Sequence, residues 1–88
     1  LIPHNWVLGK SGTLEKISDL ADRSLADPGA LSQSYVPQIP EVLAFTRLVD
    51  PNHSTTIHFQ VPPEKGDYPY LCTFPGHTRI MRGVLHVE

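Results

Sequence analysis

The sequence predicts an antiparallel β-sandwich with one helical excursion. Several short runs alternate or run apolar in the manner of strands, and clusters of Pro, Gly, Asn and Asp separate them. A single segment has a helical period. No internal repeat and no low-complexity tract points to another architecture.

The first run, Pro3-His4-Asn5-Trp6-Val7-Leu8, reads as a strand that closes at Gly9. Pro3 belongs at its beginning or on an edge, because it cannot donate to a ladder. Thr13 to Leu25 is the helix candidate. Leu14, Ile17, Leu20, Ala21 and Leu25 lie three or four apart and form an apolar stripe, with Glu15, Lys16, Asp19, Asp22 and Arg23 opposite. Gly12 or Thr13 can cap its start, and Asp27-Pro28-Gly29 stops it. Residues 27 to 40 are a loop broken by prolines.

Glu41 to Val49 is predicted as a strand, buried on one face and partly covered on the other. After the turn Asp50-Pro51-Asn52-His53, Ser54 to Val61 alternates. Thr56, His58 and Gln60 take one side, and Ile57, Phe59 and Val61 the other. Tyr68 to Cys72 is the next strand. A loop then runs through Gly76 to Arg82, and Val84 to Glu88 closes the chain with Leu85 and Val87 on its apolar face.

At 88 residues the chain is one domain at most. A chain this short buries only about 60–65% of its unfolded surface, so its core is thin. A metal site would act as a staple, because binding energy at a site that exists only in the folded state is folding energy. The net charge is −2, with Lys10, Lys16, Arg23, Arg47, Lys65, Arg79 and Arg82 scattered along the chain, which excludes a basic field for nucleic acid. No apolar run approaches the roughly 20 residues of a membrane span. The start at Leu1, without a Met, reads as processing or as a fragment of something longer. Cys72 is the single cysteine, so no internal disulfide forms; alone it reads first as a buried structural thiol, ahead of nucleophile or ligand.

The informative segment is Tyr70-Leu71-Cys72-Thr73-Phe74-Pro75-Gly76-His77-Thr78-Arg79-Ile80-Met81-Arg82-Gly83. It carries a thiol, an imidazole and a thioether in a loop short enough for all three to meet one ion. Such a soft donor set suits copper. A trigonal plane of two His and one Cys needs one more nitrogen.

Cys72-Thr73-Phe74-Pro75-Gly76-His77 followed by Met81 resembles the copper loop of azurins and auracyanins. Pro3-His4-Asn5-Trp6-Val7 resembles the strand that carries the first histidine ligand of cupredoxins, the small blue-copper proteins. The resemblance covers the chain in the family's order, including the helical insertion. It implies a Greek-key cupredoxin sandwich and a single mononuclear type 1 copper site. His4, Cys72 and His77 would be the equatorial ligands, and Met81 the weak axial one. It also implies that Asn5 ties the ligand strand to Thr73, and that the Phe74 N–H donates to the Cys72 sulfur.

The function implied is one-electron transfer between Cu(II) and Cu(I) by a carrier rather than an enzyme. Implied with it are redox protein partners such as c-type cytochromes, and a periplasmic or other extracytoplasmic location with an export signal or membrane anchor in the parent protein. A cupredoxin module within a larger redox enzyme or membrane-anchored assembly is the alternative. A copper-storage or chaperone protein would multiply its Met, Cys or His ligands, and this chain has one set.

The chain departs from the azurin pattern at three places. Pro3 stands where azurins have the glycine whose carbonyl faces the axial Met. Thr78-Arg79 stands where azurins have small or apolar residues. Only Leu1, Ile2 and Pro3 precede the first His, where a complete cupredoxin has further strands. The chain therefore reads as the C-terminal part of a full domain. The faces around Trp6, Phe45, Ile57 and Phe59 call for strands from an upstream segment or another chain.

The blander readings are a Cys–His nucleophile pair, for which no third orienting group is evident, and Met81 as core filler. His53, His58 and His86 read as ordinary turn and strand residues. Thr78 and Arg79 read either as solvated loop or as part of a docking surface.

Overall fold

The computed structural model describes residues 2–88. Strands β1 (Val7–Gly9), β2 (Val42–Phe45), β3 (Gly66–Leu71) and β4 (Arg82–Val87) form one antiparallel sheet in the order β2-β1-β3-β4. Helix α1 (Leu14–Arg23) lies between β1 and β2 in sequence, followed by two short 3-10 turns at Ser24–Ala26 and Leu31–Gln33. No helix of the described residues is long and apolar enough to cross a membrane.

Strand β1, between β2 and β3, lies just after the first ligand candidate, His4. Val7 pairs with Phe45 on one side and Leu71 on the other, and both Val7 and Leu8 are fully buried. The strand predicted from Pro3 onward is interrupted. His4 forms an isolated bridge with Val49, through hydrogen bonds of 3.0 and 2.7 Å. The Trp6 N–H is then taken by the Thr46 hydroxyl at 3.0 Å, a side-chain bond that replaces a regular rung. The same competition ends β2 at Phe45, four residues short of the expected Val49.

The helix stripe faces the sheet as expected from Leu14 to Ala21. Ile17 and Ala21 are fully buried, and Ile17 joins Val7, Val36 and Leu71 in the core with Leu14, Ile39 and Val42 packed around it. A Cβ on Gly9 would come within 2.4 Å of Ile17 Cδ1, so the helix sits this close to β1 only because position 9 has no side chain. Leu25 does not belong to the stripe. The chain tightens into a 3-10 turn at Ser24, and Leu25 is left exposed. Thr13 does not cap the helix with its side chain; its hydroxyl donates to the Lys10 carbonyl at 2.6 Å. The Lys16 ammonium donates to the Glu41 carboxylate, which ties α1 to the start of β2 and holds the Glu41 carboxyl below its ordinary range.

The predicted strand Ser54 to Val61 forms no strand, although its alternation is that of one. A strand exists only when a neighbour takes its backbone groups, and no such neighbour stands beside it among the described residues. The segment instead lies against the sheet through Phe59, whose ring is 5.4 Å from that of Trp6, with Tyr70 5.5 Å from Trp6 beyond it. One sheet of the expected sandwich is therefore present, and among the described residues there is no second. Leu43, Phe45, Phe59, Val61 and Val84 are all exposed.

Candidate metal centre

Three segments of the chain meet at one end of the sheet. His4 is brought there by its bridge to Val49, ahead of β1. Cys72 follows β3 directly and is 2% exposed. The loop of residues 73–81 joins β3 to β4 and returns His77 to the same point. Its ends are closed by Cys72 N–H donating to the Met81 carbonyl at 2.9 Å, the rung just beyond the β3–β4 ladder. Inside the loop, His77 N–H donates to the Phe74 carbonyl at 3.0 Å, and the His77 carbonyl accepts from Ile80 at 3.2 Å and Met81 at 3.0 Å. Gly76 has φ +92°, a conformation a side chain would strain, so the Pro75-Gly76 turn can reverse here.

One donor atom from each of His4, Cys72 and His77 lies within 4.8 Å of the other two. Cys72 Sγ and His4 Nδ1 are 3.9 Å apart, and the two imidazole rings are 5.0 Å apart at 32°. Ligands about 2.0–2.3 Å from a trigonally coordinated ion lie roughly 3.5–4 Å from each other, so the cluster has the dimensions of a mononuclear site. His77 Nδ1 supplies a second sign. It is buried and has no hydrogen-bond partner, a costly state for an imidazole nitrogen unless an ion takes its lone pair. A buried thiol, a buried unpartnered imidazole nitrogen and a second imidazole fit copper.

Asn5 fastens the two halves of the site. Its Oδ1 accepts from the Thr73 N–H at 2.7 Å, and its Nδ2 donates to Thr73 Oγ1 at 2.7 Å and to the Ser34 carbonyl at 2.8 Å. This is the link the resemblance implied, with Ser34 as a further partner. The implied donation from Phe74 N–H to the Cys72 sulfur is not among the hydrogen bonds of the described residues. Phe74 touches the site through its ring, 5.4 Å from His77 and 5.4 Å from Tyr35.

Met81 is held by its backbone at the end of the loop, and its side chain, 38% exposed, lines a shallow cavity with Asn5, Trp6, Cys72 and Ile80. Pro3 is half-buried beside His4 in sequence. His53 and His58 are exposed and outside the cluster. His86 is also exposed and pairs with Asp67.

Thr78 is buried and Arg79 exposed, and both are tied to α1. Thr78 is 1% exposed and its hydroxyl donates to Asp22 on α1. Arg79 pairs with Glu15 and Asp19, and Arg82 with Glu15. The acidic side of α1, which its sequence assigns to solvent, thus faces the ligand loop. Nothing in the local pattern of Asp22 signals this, because the contact spans 56 positions.

A family model described as copper binding proteins, plastocyanin/azurin family, matches residues 1–88, and the chain belongs to that family. Azurin iso-2 of Methylomonas sp. strain J is 37% identical over 87 residues, which are 97% of this chain and 64% of that protein. The solved structure of this azurin superposes with a TM-score of 0.81 at 30% identity, over 99% of this chain and 66% of the other. Auracyanin A, a blue copper protein of Chloroflexus aurantiacus, superposes with a TM-score of 0.82 at 32% identity, over 98% of this chain and 68% of the other. The sheet and helix therefore belong to the cupredoxin fold, and the chain spans about two thirds of the length of these relatives.

Proposed function

We propose that the protein is a one-electron carrier built on a single type 1 copper site, in which His4, Cys72, His77 and Met81 would hold the copper. The observation that carries this reading is the convergence of a buried thiol and two imidazoles, one with an unpartnered buried nitrogen. Copper bound there would supply a one-electron couple between Cu(II) and Cu(I).

The chain's own residues do the rest. Asn5 and Thr73 hold Cys72 against the His4 segment, so the donors keep their places in both oxidation states. Small rearrangement is what lets an electron pass quickly. Cys72 is closed to water, which protects the thiolate from oxidation. The His77 ring, half-buried against Phe74 and His4, offers the outer edge through which an electron would leave.

The natural partners on this reading are redox proteins such as c-type cytochromes, met outside the cytoplasm. A periplasmic location, with an export signal or membrane anchor in the parent protein, accords with a copper–thiolate site. The exposed Leu43, Phe45, Phe59, Val61 and Val84 favour one addition. Further strands, from another segment of the same polypeptide or from a second chain, cover this surface and complete the sandwich. The module would then serve as a free carrier or as part of a larger redox assembly.

The test is the visible and electron paramagnetic resonance spectrum of the copper-loaded protein. An intense thiolate-to-copper band with a narrow copper hyperfine splitting is expected. A pale protein with an ordinary amine-type copper spectrum would refute the reading.

A further inference from the structure

Three contacts from Asp22 on helix α1 reach the loop that carries His77, and they bracket that residue. On one side, Gly76 N–H points to Asp22 Oδ1 at 3.4 Å. On the other, the Thr78 hydroxyl lies 3.1 Å from Asp22 Oδ1 and 3.0 Å from Oδ2. The Thr78 carbonyl in turn accepts two guanidinium N–H bonds from Arg82, at 2.9 and 2.8 Å, and Arg82 also reaches Ser18 Oγ at 3.5 Å. Ser18 and Thr78 are both buried, so the joint is closed to water where it is tightest.

A hydrogen bond to a carboxylate is about twice as strong as one between neutral groups. Gly76 and Thr78 are the chain neighbours of His77. A group that holds both sets the direction from which the His77 ring enters the site. We propose that Asp22 is a positioning residue for the metal loop: its carboxylate clamps Gly76 and Thr78 to α1 and so fixes the orientation of His77. The helical insertion thereby acts as the rigid wall against which the loop is set, and Arg82 locks the same joint from β4. This rests on the copper reading above for its effect on the metal, but the clamp itself belongs to the metal-free chain.

The experiment uses Thr78→Val, which keeps the buried volume and removes the hydroxyl, Thr78→Ser, which restores it, and Asp22→Asn, which removes the charge. In metal-free protein, the Gly76 amide should exchange with solvent about tenfold faster in Asp22→Asn than in wild type, the scale of one weakened charge-assisted hydrogen bond. In copper-loaded protein, Thr78→Val and Asp22→Asn should release copper to a chelator about tenfold faster and show an altered copper hyperfine splitting. Thr78→Ser should return both to wild-type values. A clamp with a purely structural role would lower the unfolding midpoint and leave release and spectrum unchanged, and that result would overturn the proposal. If wild type itself lacks the thiolate band, the copper reading fails, and the Gly76 amide alone decides the clamp: unchanged exchange in Asp22→Asn rejects it. Should Thr78→Val not fold, Asp22→Asn decides both readouts.

Discussion

Asn5 and Thr73, 68 positions apart, hold each other by two hydrogen bonds of 2.7 Å, one to the Thr73 backbone and one to its hydroxyl. Both residues are buried, so neither bond can be replaced by water without opening the site. Asn5→Ala should strip the buried Thr73 N–H of its partner. The cost of such an orphan is about 1–3 kcal/mol. Chemical denaturation of the metal-free protein should show a loss of that size, and copper release should quicken. An unchanged midpoint would mean that the joint is not held by Asn5.

Met81 should set the reduction potential without being needed to bind the metal, because an axial thioether is weak and long. Met81→Leu keeps the apolar volume and removes a donor that favours Cu(II), so the potential should rise. Met81→Gln offers a harder oxygen, so the potential should fall. Voltammetry of the three proteins under one set of conditions checks the signs. A fall or no change in the Leu variant would remove Met81 from the ligand set.

Gly9→Val tests how closely the helix packs. Even a first carbon at position 9 would meet Ile17 Cδ1 at 2.4 Å and Thr13 Oγ1 at 2.8 Å. Overpacking of this kind costs about 1–3 kcal/mol. A thermal unfolding midpoint below that of wild type is expected, and Ile17→Ala in the same chain should recover part of the loss. Equal midpoints would place the helix farther from β1.

The Lys16–Glu41 pair should give a small pH dependence of stability. The folded-state pKa of Glu41 lies below its ordinary value, chiefly through the Lys16 hydrogen bond. The unfolded chain therefore binds the proton more readily. The stabilisation is present above the ordinary carboxylate pKa and is lost as pH falls through the depressed one. Glu41→Gln should remove it, so the two stability curves should differ near neutrality and converge in acid. The pair is exposed and the difference modest. Parallel curves down to low pH would show that the pair contributes nothing.

The meeting of His4, Cys72 and His77 and the Asn5–Thr73 link were legible through two short motifs and the family resemblance they carry. Thiol, imidazole and thioether fall within one loop, and His4 and Asn5 are adjacent in one short motif. The helix was legible from the spacing of Leu14, Ile17 and Ala21. Three features were not. Ser54 to Val61 has the alternation of a strand but no neighbour to bond, and alternation reports only which side chains would share a face. The Asp22–Thr78 clamp joins residues 56 positions apart, through a carboxylate that any solvated helix face could carry. The break between His4 and β1 was hidden for a related reason: it depends on the Thr46 hydroxyl, which competes with the ladder for the Trp6 N–H.

The most direct test of the central claim is a copper titration of the metal-free protein, followed by visible absorbance, with Cys72→Ser alongside. Wild type should bind one copper per chain and develop an intense visible band that saturates at that ratio, and Cys72→Ser should develop none. A wild-type band that never forms, or one that survives in Cys72→Ser, would contradict a copper–thiolate centre at His4, Cys72 and His77.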